Sequence, residues 1–424
     1  MILRRLQRIE CHLVIVRHDM LADLETAVSS DIDGLRIVPV EDMHRMQAGS
    51  APPLADIEPD EIAYLQFTSG TTGEPRAAMI SHRSLLASLH AALIRLDVRP
   101  TDVFVSWVPL YHDLGLVRFV FGPLFFGCPV YLLQPSITSL QSWLETASRV
   151  RATITGGPDF GYRIAARTVD PAGLELSTLR FATNGGEPTR RSTIEHFEQR
   201  FGLSGVVRPG YGLAEATLGV TSLATGESLR TDNAGNLSCG RPFDGIEIKI
   251  VDAEGTTLPA NRAGDILVRG TPVFSGYLNA PDVQILCDGW LNTGDIGSLD
   301  DDGHLYVLGR SRALIKRAGA MIAPREIEEV ADQIDGVRFS AAIGHSDPPQ
   351  SGTEDVIVIA EVRAASPTSE EPSLAKVIAS EVTRAIGFSP REVVLVPPRT
   401  IPRTQSGKIQ YDELQRLYRQ GKLE

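Results

Sequence analysis

Along roughly the first 240 residues, short β-branched runs alternate with longer amphipathic stretches. Leu13–Val16, Leu35–Val40, Tyr64–Phe67, Val103–Trp107, Val130–Leu133 and Leu179–Thr183 have the length and composition of strands, with helical spacing between several of them. This alternation predicts an α/β sheet architecture. From about Gly240 the texture changes to hairpins. Ile246–Asp252 runs into the turn Ala253-Glu254-Gly255, and Asp265–Arg269 and His304–Leu308 follow similar punctuation, which predicts a β-rich subdomain. After Gly309 a helix at Pro324–Gln333, strands at Ser340–Ile343 and Asp355–Val362, a helix at Leu374–Ile386 and a strand at Val393–Val396 predict a small α+β unit. The Ser/Pro/Glu-rich stretch Ala364–Ser373 reads as a solvated loop within it, and no internal repeat is found.

Composition narrows the function. The chain has 424 residues, 42% of them hydrophobic, enough for a large core and more comfortable as two domains than one. A net charge of −12 repels the phosphate backbone that supplies most nonspecific nucleic-acid affinity, so nucleic acid is not expected as a partner. Only five of the 41 basic residues are lysines, Lys249, Lys316, Lys376, Lys408 and Lys422, so a lysine inside a motif stands out. Cys11, Cys128, Cys239 and Cys287 are far apart and form no CxxC pair, which fits a reducing cytoplasm. The apolar stretch Phe119–Leu133 is broken by Gly122, Pro123, Gly127 and Pro129; it is too short to span a bilayer and reads as core. The start carries no secretory pattern, so a cytoplasmic location is expected.

The first candidate for chemistry is a loop. Tyr64–Phe67 leads into Thr68-Ser-Gly-Thr-Thr-Gly-Glu-Pro-Arg76, and Ser81–Leu93 has helical character, giving the order strand, small-residue loop, helix. Glycines let backbone approach an anion, hydroxyls donate to phosphate oxygens and Arg76 supplies positive charge. It is not a Walker A loop, because no Gly-Lys-Ser/Thr follows at the required spacing. By itself the stretch could equally be a polar surface turn.

Motifs elsewhere decide. Asn184-Gly-Gly-Glu-Pro188, Tyr211-Gly-Leu-Ala-Glu-Ala-Thr217, Gly289-Trp-Leu-Asn-Thr-Gly-Asp295, Gly309-Arg310 and Pro402-Arg-Thr-Gln-Ser-Gly-Lys408 follow the loop in order. Together they resemble the adenylate-forming superfamily of acyl-CoA synthetases, luciferases and nonribosomal adenylation domains, over nearly everything from Tyr64 to Gln410. The resemblance implies that Thr68, Ser69, Gly70, Thr71, Thr72, Gly73 and Arg76 hold ATP phosphates and that Gly185, Gly186 and Glu187 line the adenine site. It implies that Tyr211, followed by Gly212, stacks on the base, and that Glu215 helps hold Mg²⁺, for which a hard carboxylate is suited. Asp295 and Arg310 would hold the ribose hydroxyls; read alone, they are a turn aspartate and a surface arginine.

Lys408, on its own a solvated lysine, would by the same resemblance stabilise charge on the acyl carboxylate and α-phosphate as pyrophosphate leaves. Gly309-Arg-Ser-Arg312 matches the hinge between a large and a small mobile domain, with Arg312 at the hinge position. The fold expected is therefore α/β: a multi-subdomain N-terminal domain over residues 1–309, β-rich from about 240, and a mobile α+β lid over 310–424.

Trp107-Val-Pro-Leu-Tyr-His-Asp-Leu-Gly115 and Gly157-Pro-Asp-Phe-Gly-Tyr162 look most like fatty acyl-AMP ligases, which pass lipid acids to acyl-carrier proteins. His112 would sit beside the acyl carboxylate and metal, or else be a core histidine. Asp159, Phe160 and Tyr162 would belong to the acyl pocket, with aromatic packing as the alternative for Phe160 and Tyr162. The chain departs from the pattern in four places. The stretch between Thr217 and Cys239 is short where those ligases carry an insertion, Arg76 replaces a loop lysine, Ala214 stands where many superfamily members, though not commonly these ligases, have Ser or Thr, and Gln410 replaces a basic residue. The region before residue 50 also looks shortened: either the family tolerates a trimmed version, or apolar surface is exposed for a partner to cover, which limited solubility of the isolated chain would favour.

The reaction expected from the resemblance uses ATP and Mg²⁺ to turn a fatty or related acid into acyl-AMP and pyrophosphate. Transfer to a phosphopantetheine thiol would follow, on an acyl-carrier protein in lipid, siderophore or polyketide synthesis. CoA as acceptor and an inactive nucleotide-binding scaffold are the rivals.

Overall fold

A computed structural model describes residues 6–7, 9–28, 34–43, 55–68, 76–136, 139–280, 286–317, 320–346, 353–363, 371–403 and 409–423. Its centre is a seven-stranded sheet. The strands Val130–Leu132, Phe104–Ser106, Ile154–Gly157, Phe181–Asn184 and Val207–Tyr211 run parallel, and Thr221–Ser222 and Arg241–Pro242 continue the sheet antiparallel. Parallel neighbours need crossovers, and the amphipathic helices Leu140–Arg149, Asp159–Thr168 and Arg191–Phe201 provide them. Their apolar faces bury Trp143, Tyr162 and Phe197 as a ring cluster on one face of the sheet. A second core, built around Phe104, Phe119 and Phe181, fills the other face and continues under the β-rich part.

That part is an antiparallel sheet in which Ile246–Val251, Gly264–Gly270 and Trp290–Leu299 lie side by side, with Leu286–Cys287 and Leu305–Arg310 also paired to Trp290–Leu299. The turn at Ala253-Glu254-Gly255 closes with Gly255 N donating to Asp252 O at 3.1 Å. In the C-terminal region, Val337–His345, Asp355–Val362 and Glu392–Val396 form a three-stranded sheet with its own buried residues, covered by the helices Pro324–Ala331, Glu371–Ile386 and Tyr411–Arg419. The chain is thus a mixed α/β protein, as the alternation predicts. No helix among the described residues is long and apolar enough to cross a membrane.

Several elements differ from the sequence reading. The loop after Thr68 does not lead directly into a helix: Arg76–Ser81 is a strand, antiparallel to Ile62–Thr68, with Thr68 opposite Arg76. The helix starts only at His82, capped by the Ser81 hydroxyl, which accepts from Ser84 N at 3.1 Å. The strands Ile154–Gly157 and Val207–Tyr211 were not anticipated, since Gly156, Gly157, Pro209 and Gly210 are poor strand formers. Phe119–Leu133 is core only in part: Leu124 is 72% exposed, and Phe125, Tyr131 and Leu132 also face solvent. The loop read over Ala364–Ser373 gives way to helix at Glu371; residues 364–370 lie outside the described residues.

Candidate active site

The carboxyl ends of Phe104–Ser106, Ile154–Gly157, Phe181–Asn184 and Val207–Tyr211 lie along one edge of the parallel sheet, where open α/β sheets bind ligands. Three of the motifs follow these ends directly: Trp107–Gly115, Asn184–Pro188 and Tyr211–Thr217.

Gly185 N donates to Gly157 O at 3.3 Å, and Gly186 has φ +86°, a left-handed turn suited to glycine. The His112 ring lies against it: a Cβ placed on Gly186 would be 3.6 Å from Cε1 and 3.9 Å from Nε2. His112 Nδ1 is 2.6 Å from Asp113 Oδ1, which anchors the other side of the ring. Glu187 follows Gly186 in the same motif. Its carboxylate accepts from Phe160 N in the first turn of the helix Asp159–Thr168, favourable for an anion there.

Beyond the Val207–Tyr211 strand the chain turns tightly. A Cβ on Gly212 would come within 1.6 Å of Leu218 O, so only glycine fits, and Thr217 and Leu218 both have positive φ. Thr217 Oγ1 donates to Pro272 O at 2.6 Å, and its carbonyl accepts from Ser88 Oγ at 2.9 Å, which offsets the strain. Glu215, held in this turn, accepts a hydrogen bond from the Tyr277 hydroxyl, and the Arg76 guanidinium stacks 5.5 Å above the Tyr277 ring. Burial, and then the Glu215 carboxylate, raise the Tyr277 hydroxyl far out of the titrating range, so it stays a donor.

Tyr211 belongs to a second chain of contacts. Its hydroxyl donates to Asp295 Oδ2 at 2.6 Å, Asp295 Oδ1 is 3.1 Å from Arg310 Nε, and Arg310 Nη1 donates to Thr293 O at 2.6 Å. Asp295 and Arg310 reach one another because they are opposite partners in the antiparallel pair Trp290–Leu299 and Leu305–Arg310. Burial pulls Arg310 down, but Asp295, Tyr211, Glu215 and Tyr277 outweigh it and raise Arg310, which puts both chains of contacts in one electrostatic neighbourhood.

The structure therefore brings together Arg76, Tyr211, Glu215, Asp295 and Arg310 on one side, and His112, Gly185 and Gly186 on the other. Ser69, Gly70, Thr71, Thr72, Gly73 and Lys408 lie outside the described residues; Thr68 marks the start of their loop. Arg312 borders a shallow cleft with Glu354, Tyr411 and Gln415, just past the Leu305–Arg310 strand.

All three acyl-pocket candidates in this stretch, Asp159, Phe160 and Tyr162, are buried. The Tyr162 side chain is fully buried between Trp143 and Phe197, and its hydroxyl donates to Thr183 O at 2.8 Å, so the aromatic-packing alternative holds. Phe160 packs edge-on against Trp107, with ring centres 5.8 Å apart. Asp159 is buried and accepts from Asn184 Nδ2 at 3.1 Å, Arg190 N at 3.1 Å and Thr193 Oγ1 at 3.0 Å; it ties two crossover helices to the sheet. The sequence reading also missed Tyr277. Its position follows from Ala77–Met79 pairing with Ser275–Leu278, which no local motif announces.

The profile of the AMP-binding enzyme family matches residues 2–278. TtuA of Teredinibacter turnerae, a medium-chain-fatty-acid–acyl-carrier-protein ligase, is 31% identical over 405 residues, which cover 83% of this chain and 62% of that protein. FadD23 of Mycobacterium tuberculosis, a long-chain-fatty-acid–AMP ligase, is 30% identical over 413 residues, covering 85% of this chain and 70% of the relative. A solved structure from work on fatty acyl-adenylate ligases of E. coli and L. pneumophila superposes with a TM-score of 0.89 at 28% identity, over 99% of this chain and 82% of that one.

Proposed function

Because the chain belongs to the AMP-binding enzyme family and resembles its acyl-AMP and acyl-CoA ligases, we propose that it activates a fatty or related carboxylic acid with ATP and passes the acyl group to a phosphopantetheine thiol. In the first step an acid oxygen bonds to the α-phosphorus of ATP, the bond to the bridging oxygen breaks, and pyrophosphate leaves. In the second, the thiol sulfur bonds to the acyl carbon, AMP departs with the bonding electrons, and the thiol proton passes to solvent.

The observation that carries this reading is the convergence of Arg76–Tyr277–Glu215 with Tyr211–Asp295–Arg310 at one sheet edge. Arg76 orients phosphate oxygens, the Tyr211 ring faces the base, and Asp295 and Arg310 exchange part of their mutual bonding for the ribose hydroxyls. The Glu215 carboxylate, which accepts from Tyr277 through one oxygen, has the hard-oxygen chemistry that Mg²⁺ takes beside phosphates, and the ion would supply charge neutralisation there. His112, braced by Asp113 beside Gly186, positions the reacting carboxylate. Arg163 and Arg190 each lie 2.8 Å from Asp332 and hold the region after Arg310 against the sheet domain, so a rotation at residues 309–312 must break both pairs.

An acyl-carrier protein is the preferred acceptor because the T. turnerae relative is named for that acceptor. The short segment between Thr217 and Cys239, closed on itself by the Thr231–Leu237 bridge, keeps CoA as a second reading.

Lys408→Ala tests the reaction. Acid-dependent pyrophosphate exchange should fall about 1,000-fold or more while ATP binding by calorimetry persists. Exchange at the wild-type rate in that variant sinks the assignment, and offering CoA and a phosphopantetheinylated carrier protein in parallel decides the acceptor.

A further inference from the structure

Arg118 lies six residues after His112, in the π-helical segment Leu114–Phe121, a form that recurs at functional sites. Only 5% of the residue is exposed, and its Nε and Nη1 have no hydrogen-bond partner. None of the acidic side chains among the described residues forms an ion pair with it, and burial alone pulls it down to about 10. Burying a guanidinium with two of its nitrogens unpaired is costly, and native folds keep such a group where something compensates it.

Three further buried polar atoms have no partner where the strands around Gly156 and Gly157 end: Trp107 Nε1, Thr183 Oγ1 and Asn184 Oδ1. A Cβ on Gly157 would be 3.2 Å from Trp107 Nε1, and one on Gly156 would be 3.0 Å from Thr183 Cβ and 3.1 Å from Cζ of Phe119, the neighbour of Arg118. Trp107, Thr183 and Asn184 therefore border the Gly156–Gly157 end of one strand, which the ring of Phe119, the residue after Arg118, also touches; the last carbonyl of that strand accepts from Gly185, next to Gly186 and His112. Arg118, Trp107 and Thr183 can donate, through a guanidinium, an indole N–H and a hydroxyl, and Asn184 Oδ1 can accept. An alkyl tail would leave every one of them unsatisfied.

We propose that Arg118 is a specificity residue that pairs with a second carboxylate on the acid substrate, so that the enzyme activates one end of a short dicarboxylic acid. This rests on the adenylation reading above and names its substrate class. A planar guanidinium binds a carboxylate through two parallel bonds, and the pairing removes the desolvation penalty that the free protein carries. Six residues span on the order of 9 Å or less along a helix, which suits a short diacid with one end at His112.

The test uses the full chain and its Arg118→Met and Arg118→Lys variants. Pyrophosphate exchange is measured with straight-chain monocarboxylic acids and α,ω-dicarboxylic acids of matched length, and melting temperature is measured with succinate, glutarate or adipate as the probe. Wild type should prefer a diacid, and the diacid-to-monoacid ratio of kcat/KM should fall on the order of 100-fold in Arg118→Met and less in Arg118→Lys. A diacid should raise the melting temperature of wild type but not of Arg118→Met. A wild-type preference for monoacids, with the same ranking in Arg118→Met, overturns the proposal and leaves adenylation standing. If no acid drives exchange, the adenylation reading fails instead. The melting shift then decides for Arg118: a diacid-dependent rise lost in Arg118→Met supports it, and no rise overturns it.

Discussion

The two sides of the His112–Gly186 contact treat polar groups in opposite ways. On the Glu215 side, charged and hydroxyl groups bond to one another: Tyr277 to Glu215, Tyr211 to Asp295, Asp295 to Arg310. On the Gly156 side, Trp107 Nε1, Thr183 Oγ1 and Asn184 Oδ1 are buried without partners, as are Nε and Nη1 of Arg118 in the helical segment after His112. A mutually bonded cluster is pre-organised and gives up only part of its bonding when a ligand enters, so it suits the nucleotide proposed to bind there. A set of unsatisfied donors carries its penalty until a complementary ligand arrives, so it suits discrimination among acids.

Removing the hub of the bonded side should have the largest effect. Asp295→Ala strips the Tyr211 hydroxyl and the Arg310 guanidinium of their shared partner, and kcat/KM for ATP should fall on the order of 100-fold, roughly 2–3 kcal/mol. The Arg310 side chain is 51% exposed, so the loss of hydrogen bonds to nucleotide and tyrosine accounts for the effect more than lost Coulomb energy. Steady-state kinetics with varied ATP check it; an unchanged KM for ATP would break the contrast.

Glu328 is an intermediate case. It accepts from Ala342 N at 3.1 Å and from the Tyr411 hydroxyl at 2.9 Å, but the nearby Arg190 is engaged with Asp332. Burial, only partly countered by Arg190, pushes Glu328 up from 4.5 to about 7. The folded protein therefore binds this proton more tightly than the unfolded chain, so its contribution is complete below about 4.5 and is lost as pH rises through 7. At most about 3 kcal/mol is involved. Denaturation at pH 5 and pH 8 should show Glu328→Gln losing less stability with rising pH than wild type; parallel curves would count against it.

Tyr277→Phe deletes one hydrogen bond to Glu215 and keeps the ring under Arg76. A loss of about 1 kcal/mol in stability and a several-fold rise in the Mg²⁺ concentration needed for half-maximal exchange are expected. An unaltered Mg²⁺ dependence would detach Tyr277 from the site.

The smallest effect, and the sharpest contrast, belongs to Thr183→Val. An unpartnered hydroxyl replaced by a methyl of similar shape should leave the melting temperature unchanged or raise it by the equivalent of under about 1 kcal/mol. A clear loss of stability would mean that the hydroxyl is bonded after all and that the unpaired side is misread.

Much of the framework was legible in the chain. Leu13–Val16 and Asp355–Val362 appear as strands with the predicted ends, because β-branched runs between turn residues leave little alternative. Strands built from glycine and proline, such as Ile154–Gly157, were invisible. Gly157 answers to a remote side chain: a Cβ on it would come within 3.0 Å of the Trp107 ring, just as one on Gly161 in the following helix would come within 2.3 Å. Arg76–Ser81 was missed because its alanines carry no strand signal of their own; pairing on both sides makes it a strand.

The sequence alone determined the family, the α/β class and the set of residues to inspect, because ordered motifs and hydrophobic periods are local properties that need no partner to be read. Which of those residues meet, and which are already spent, was decided by the tertiary structure. Asp295 and Arg310 became a pair through strand register, Tyr162 and Asp159 were drawn into packing, Tyr277 entered the site from an unmarked loop, and Arg118 was left buried without a partner. These outcomes depend on burial and on contacts between residues distant in the chain, and no local pattern encodes either one.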